Sequence, residues 1–407
     1  GKSVRAKYLM MCVGQLSATK SPNYPGLSSF KGEVIHSGVW PKHNVDYAGK
    51  RVAIIGTGSS GMQMTPIIAK EAKHLTVFQR TANYSIPARN APLTDDFKKY
   101  VRENFAEIRD VMRSTVNGHP WRIADRSVFD VSDEERDKIF EMAWEKGGLR
   151  LRAEFRDVLT NEEANEVVSA FLKKKIGQIV KDPAKAAILA DIDHGFATKR
   201  PPIDTGYFET YNRDNVALVN LRAEPIERIT ATGVKTSKGE YPLDIIVFAT
   251  GFDAMTGPLF NLNIAGRNGL ALRDVWREGP RSYLGLQVVG FPNLFTVTGP
   301  GSPSVLTNMP VAIEQHVDWI SRCIADMRAA GQTRIEAKPD AVDDWMVQVQ
   351  EVASRTLFPK TPHSWYLGAN VPGKPRVFMP YIGGMAKYRR ICDEVADKGY
   401  EGFALGA

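Results

Sequence analysis

Cysteine is scarce: 407 residues contain three, Cys12, Cys323 and Cys392, far apart and without a C-x-x-C pair. That pattern argues for a reducing compartment, with the cytoplasm as the expected location, and against dithiol or zinc chemistry. The seven histidines show no ligand spacing either, so no metal is expected. No apolar run approaches the roughly 20 residues of a membrane span, and no secretory signal opens the chain. Charge of one sign is also lacking. The net charge is +7, but lysines and arginines are interspersed with acids. The one dense run, Lys173-Lys174-Lys175, lies on a predicted helix, as a solvated face does. Nucleic acid and membrane are therefore excluded as partners, and part of the basic excess suits an anionic cofactor. There is no internal repeat and no low-complexity segment.

What is present is a soluble-type composition, 43% hydrophobic and 24% charged, in a chain too long for one ordinary core. Val52–Ile55 is a short apolar, β-branched run, the pattern of a parallel strand buried on both faces. Gly56-Thr57-Gly58-Ser59-Ser60-Gly61 follows at once, and Met62–Lys70 reads as a helix. Strand, G-x-G-x-x-G and helix together signal dinucleotide binding. Gly56 permits the tight turn, Gly58 lets backbone approach a pyrophosphate, and Gly61 lets helix and strand pack closely. Thr57, Ser59, Ser60, Met62 and Gln63 complete the expected contact set at a helix N-terminus that offers N–H groups to phosphate. The next strand, His74–Gln79, ends in Arg80-Thr81, where an NAD-binding chain usually carries an acid. An Arg there accommodates a 2′-phosphate, so the expected dinucleotide is NADP.

Upstream, FKGEVIHSGVWP (Phe30 to Pro41) fits F-x-G-x-x-x-H-x-x-x-W-P without a mismatch. It resembles the fingerprint of type I Baeyer–Villiger monooxygenases, flavoproteins that use NADPH and O2 to insert oxygen beside a ketone carbonyl. Flavin-containing monooxygenases have a similar pattern but usually lack the Trp-Pro ending. The resemblance continues through Phe196–Arg200, Ala249–Gly257, Gly299–Ser304 and Ser364–Arg376. It spans essentially the whole chain and is closest to cyclohexanone and phenylacetone monooxygenase-like members. It implies FAD and NADP as cofactors, and conversion of a small-molecule ketone to an ester or lactone through a C4a-peroxyflavin, by a monomer. Two alternatives stand beside it: a flavin-containing enzyme oxidising nitrogen or sulfur, and an inactive NADP-binding fragment without a flavin site.

The fold class implied is α/β, with two Rossmann-like nucleotide domains and a helical insertion. Family members begin with a G-x-G-x-x-G unit for FAD, and none precedes Gly56, so the FAD domain is expected to be incomplete at the N-terminus. The expected divisions are 1–45 (the end of a first FAD-domain segment plus linker), 46–91 and 194–250 (the two halves of the NADP domain), 92–193 (the insertion) and 251–407 (completion of the FAD domain). In the insertion, Phe97, Tyr100, Val101, Phe105, Ile108 and Met112 mark one helical face, expected to pack on a sheet. Ser132–Glu135 and Thr160–Glu163 read as capping boxes.

Among site residues, the resemblance assigns Arg200 as the active-site arginine, counted also among the cofactor contacts, and Lys199 as a 2′-phosphate contact. The residues alone show only two cations followed by Pro201-Pro202, which hold the backbone extended. The resemblance further places Trp365 at the nicotinamide side of NADP and Met309 against FAD. His36 is read as a conformational contact in a linker, not as a base.

Overall fold

The computed structural model describes residues 2–361 and 363–407 and shows two compact units, each assembled from separated stretches of chain. One comprises Thr19–Ala91 and Ala124–Phe252; the other comprises Gly1–Ala18, Pro92–Ile123 and Asp253–Ala407.

The first unit is built on five parallel strands: β1 (Glu33–His36), β2 (Arg51–Ile55), β3 (His74–Gln79), β4 (Val216–Asn220) and β5 (Ile245–Phe248), in the order β1-β5-β2-β3-β4. The runs Val52–Ile55 and Leu75–Gln79 are buried at every position, because the sheet is covered on both faces. On one face, Ala53, Ile55, Phe78, Ile246 and Phe248 pack with Ile229, Val234 and Leu243. Ile229 and Val234 belong to a separate antiparallel ribbon, Ile226–Ile229, Gly233–Thr236 and Glu240–Pro242, and Leu243 directly follows its last strand. Gly233–Thr236 thus lies in that ribbon and outside the main sheet. Helix α1 (Ser59–Glu71) links β2 to β3. The unit also holds the helices α2 (Asp133–Lys146), α3 (Glu162–Ile179) and α4 (Pro183–Ala190) and the short helix Tyr207–Thr210.

The fingerprint is part of this sheet. Glu33–His36 forms edge strand β1, paired residue for residue with Ile245–Phe248. A side chain at Gly32 would strike the Asp244 carbonyl oxygen and the Phe30 ring. His36 accepts the Gly38 N–H at Nδ1 (3.1 Å) and meets Phe252 edge-on, with ring centroids 6.4 Å apart. The spacing Phe30, Gly32, His36 therefore records how this strand is fastened to β5 and to the Thr250–Phe252 turn.

The second unit pairs Leu9–Met11 with Leu294–Thr296 in parallel and Arg334–Ala337 with Phe403–Gly406 in antiparallel. Its core gathers Trp319, Ile320 and Cys323 of the helix Met309–Ala329, Trp345 and Val349 of Pro339–Ser354, and Tyr388 and Cys392 of Met385–Asp397. His316 is fully buried there. Its Nδ1 accepts from the Thr298 N–H at 2.8 Å and its Nε2 meets the Tyr388 hydroxyl at 2.8 Å. Burial pushes its pKa down to about 3, so it is a neutral packing residue at any ordinary pH.

Two expectations about the 92–193 stretch need correction. Phe97 to Met112 is not one packed helix. It breaks at Asn104, whose amide donates to the Tyr100 carbonyl at 2.8 Å, giving Asp95–Glu103 and Phe105–Ser114. Neither piece has a buried residue; Phe97, Tyr100 and Phe105 are 49%, 54% and 59% exposed. The stretch also falls in both units, 92–123 in one and 124–193 in the other. Of the two capping boxes, Ser132 caps α2 as expected by accepting from Glu135 N–H. Helix α3 is capped by Asn161, which accepts from Ala164 N–H, while the Thr160 hydroxyl turns back to Asp157.

Candidate active site

The glycine turn leaves the carboxyl end of β2, beside the carboxyl end of β5 where the strand order reverses. Such switch points are where open α/β sheets bind ligands. Gly56 has φ +111°, a backbone setting that side chains rarely adopt, and a Cβ there would lie 2.5 Å from the Ala249 carbonyl oxygen. A Cβ on Gly61 would press into the Gly56 carbonyl, whereas one on Gly58 would meet nothing within 4 Å. The turn is therefore closed towards the protein and open at Gly58, the N-cap of α1, which has no side-chain cap. Ser59 and Ser60 follow in the first helical turn, whose leading N–H groups lack intrahelical partners. This open, uncapped N-terminus fits a pyrophosphate. Gln63 is exposed on the same helix. Met62 does not join it: its side chain is 1% exposed and its N–H donates to the Gly58 carbonyl. Helical spacing turns position 62 inward while 59, 60 and 63 face out.

The Thr57 hydroxyl donates to the Thr81 carbonyl at 2.9 Å, tying the glycine turn to the segment that carries Arg80. Lys199 sits near the same basic end; its side chain is only 14% exposed and lies 4.0 Å from Asp193. Burial lowers the Lys199 pKa. Asp193 opposes that shift, while Arg80 and Arg222 add to it as neighbouring like charges. For Asp193, burial acts to raise the pKa, but the hydrogen bond from His194 and the Lys199 and Arg222 cations outweigh it and hold the carboxyl below its usual value. Burial, aided by Lys199, pushes His194 down to about 4. Its ring joins Asp193 (3.1 Å at Nδ1) to the Asn83 amide (3.1 Å at Nε2). Arg222, Asp193 and Asn83 were not legible as site residues, because their only sequence signal was the ordinary polarity of loop positions.

The segment carrying Lys199-Arg200 is fastened on both sides. Before it, the Phe196 N–H donates to the Ser169 hydroxyl (3.1 Å), and the Phe196 carbonyl accepts from Asn165 Nδ2 (2.9 Å), both partners on α3. After it, the Pro202 carbonyl accepts from the Ile86 N–H at 3.1 Å, and Ile203–Asp204 pairs with Ile86–Pro87. Arg200 is thus exposed between two anchored stretches of backbone. Asn165 is the most demanding anchor, since it also donates to the Val158 carbonyl at 2.7 Å. Asn165→Ala should destabilise the protein by about 1–3 kcal/mol for each buried carbonyl left without a donor. Urea unfolding would show this, and a midpoint equal to the parent's would refute it.

In the other unit, Trp365 is half-buried and opens a short turn, Trp365–Leu367, capped by the Ser364 hydroxyl; its ring centroid lies 4.4 Å from that of Tyr366. Met309, also half-buried, is the first residue of the helix Met309–Ala329. Asn308 makes no side-chain cap there, and the buried Thr307 hydroxyl has no partner among the described residues. An open helix end beside an unsatisfied buried hydroxyl fits an anionic, hydrogen-bonding cofactor such as FAD.

Fold and turn together define a dinucleotide-binding α/β protein. A family model described as flavin-binding monooxygenase-like matches residues 2–92. A Baeyer–Villiger monooxygenase of Pseudooceanicola batsensis is 42% identical over 403 residues, 98% of this chain and 73% of that protein. The phenazine N-monooxygenase PhzNO1 of Lysobacter antibioticus is 41% identical over 408 residues, covering all of this chain and 74% of its own. The crystal structure of OTEMO in complex with FAD and NADP superposes with a TM-score of 0.94 at 40% identity, over 98% of this chain and 75% of that one. This chain belongs to the Baeyer–Villiger monooxygenases, the FAD- and NADP-dependent branch of flavin monooxygenases that its fingerprint resembles.

Proposed function

We propose that the enzyme inserts one atom of O2 beside the carbonyl of a small-molecule ketone, forming an ester or lactone at the expense of NADPH. Kinship with a Baeyer–Villiger enzyme over nearly the whole chain carries the reading. FAD, once reduced by NADPH, supplies the activated oxygen. The residues then have distinct tasks. The Gly56–Gly61 turn holds the NADP pyrophosphate against the N-terminus of α1. Arg80 and Lys199 receive the 2′-phosphate, which the like-charge crowding at Lys199 favours. Arg200 is the catalytic residue. Its guanidinium stays charged and donates from a rigid fork to the oxyanion developing on the ketone oxygen. Trp365 packs at the nicotinamide and Met309 at the flavin. His36, fastened to Gly38 and Phe252, has a positioning role. The cytoplasm is the proposed location, supported by three cysteines that form no disulfide.

The 41%-identical phenazine N-monooxygenase favours a second reading, oxygen transfer to an aromatic nitrogen. Supplying the enzyme with FAD, NADPH and 18O2 together with a ketone panel and phenazine distinguishes them. One labelled oxygen in an ester or lactone is expected. Labelled N-oxide with every ketone untouched would overturn the proposal.

A further inference from the structure

Arg222 has no task in the reading above, yet the sheet delivers it to the same edge as Arg80. Gln79 of β3 pairs with Asn220 of β4; Arg80 is the next residue on one strand and Arg222 lies two further on the other. The Leu221 N–H donates to the Gln79 carbonyl at 2.7 Å and keeps the two chain ends together. Arg80 and Arg222 therefore leave neighbouring parallel strands at their carboxyl ends, the edge where such sheets bind ligands.

Arg222 does not stand there as a bare cation. Its Nη2 donates to Asp193 Oδ2 at 2.5 Å and its Nη1 to Asp191 Oδ2 at 3.5 Å. The other Asp193 oxygen meets His194 Nδ1 at 3.1 Å and Lys199 Nζ at 4.0 Å. One carboxylate is thus shared by two cations from different elements. The Lys199 charge can serve a phosphate only to the extent that Asp193 does not claim it. Arg222, with the shorter contact, is the group that satisfies Asp193. Resting on the assignment of Arg80 and Lys199 to the 2′-phosphate, we propose that Arg222 is a specificity-determining residue. By neutralising Asp193 it leaves Lys199 for the phosphate, and so sets the preference for NADP over NAD.

The proposal fixes the sign of a substitution and of its rescue. In Arg222→Gln the carboxylate persists without its main partner. It then holds Lys199 and repels an arriving phosphate. A charge-assisted contact of this kind corresponds to about a tenfold to hundredfold loss. Removing the carboxylate as well, in the double variant Asp193→Asn with Arg222→Gln, removes the cause and should return most of the preference. A purely structural role for the pair predicts the opposite, since the double variant loses more of the network than the single one.

Calorimetry with adenosine 2′,5′-bisphosphate and with 5′-AMP reads the phosphate preference directly, without turnover, and NADP+ and NAD+ extend it to the whole dinucleotide. Arg222→Gln should weaken the bisphosphate at least tenfold and leave AMP unchanged, and the double variant should recover to within about threefold of the parent. An unchanged ratio in Arg222→Gln, or no recovery in the double variant, would overturn the proposal. Arg80→Ala and Lys199→Ala separate the two levels of inference. If they lower the ratio while Arg222→Gln does not, only the role of Arg222 fails. If they too leave it unchanged, the 2′-phosphate assignment fails with it.

Discussion

Arg200→Ala should uncouple NADPH consumption from ester formation, cutting the ester formed per NADPH by about 10²–10³. That is the loss seen when one preorganised donor is removed from a developing oxyanion, and a permanent charge should matter at least as much. The binding of NADP rests mainly on the glycine turn, Arg80 and Lys199 in the proposed assignment, so it should largely survive loss of this side chain. The variant should therefore still oxidise NADPH under O2, with hydrogen peroxide as the main product in place of ester. Its fold should survive, since the backbone on either side is held by Asn165, Ser169 and Ile86 through Phe196 and Pro202. Arg200→Lys should recover little, because an ammonium cannot reproduce a planar fork of donors. Parallel assays of NADPH, peroxide and ester decide the matter. An ester yield near the parent's would show that the central residue has been assigned wrongly.

The parts of this molecule legible in the sequence are those whose signal is local. Val52–Ile55, Gly56–Gly61 and the following helix declare themselves because burial on both faces demands an unbroken apolar run and because a tight turn onto a helix demands glycine at fixed offsets. The structure extends that strand only to Arg51 and starts the helix at Ser59. The position of Arg80 was legible for the same reason, one residue beyond a strand of six. The fingerprint was recognisable as a pattern, but its physical cause was not. Gly32 must clear Asp244 and His36 must reach Phe252, contacts that span some two hundred residues of chain. Arg222 and Asp193 were out of reach on the same ground. Arg222 comes to the edge that carries Arg80 only because β4 lies beside β3, Asp193 reaches it from a loop 29 residues earlier in the chain, and nothing in a run of mixed polar residues announces which strand ends and loops become neighbours. Phe97 to Met112 misled in the opposite way. Its apolar spacing is real, but periodicity reports which residues share a face, not whether that face is covered, and Asn104 breaks the run.

The glycine turn gives the second large effect, and here two neighbouring substitutions should fail for different reasons. Gly61→Ala puts a methyl group into the Gly56 carbonyl and against the Ala249 side chain, and both residues are tied to the sheet, Gly56 by its N–H to the Phe78 carbonyl at 3.0 Å and Ala249 by its N–H to the Ile55 carbonyl at 2.9 Å. Neither can yield without separating α1 from the sheet, so the variant should lose about 1–3 kcal/mol of stability, the usual cost of overpacking, and NADP binding with it. Gly58→Ala meets no protein atom within 4 Å, and its φ of −80° suits alanine. Stability should change by only about 0.5–1 kcal/mol, the cost of alanine at an N-cap. Yet the methyl would occupy the side on which a pyrophosphate must approach. The same overpacking cost, now borne by the complex alone, corresponds to roughly a tenfold to hundredfold loss of NADP+ affinity. Urea midpoints and NADP+ titrations on both variants separate the two effects. A Gly58→Ala protein that binds NADP+ as tightly as the parent would remove the turn from the phosphate site, and a Gly61→Ala protein of parental stability would show that strand and helix are not packed through this pair.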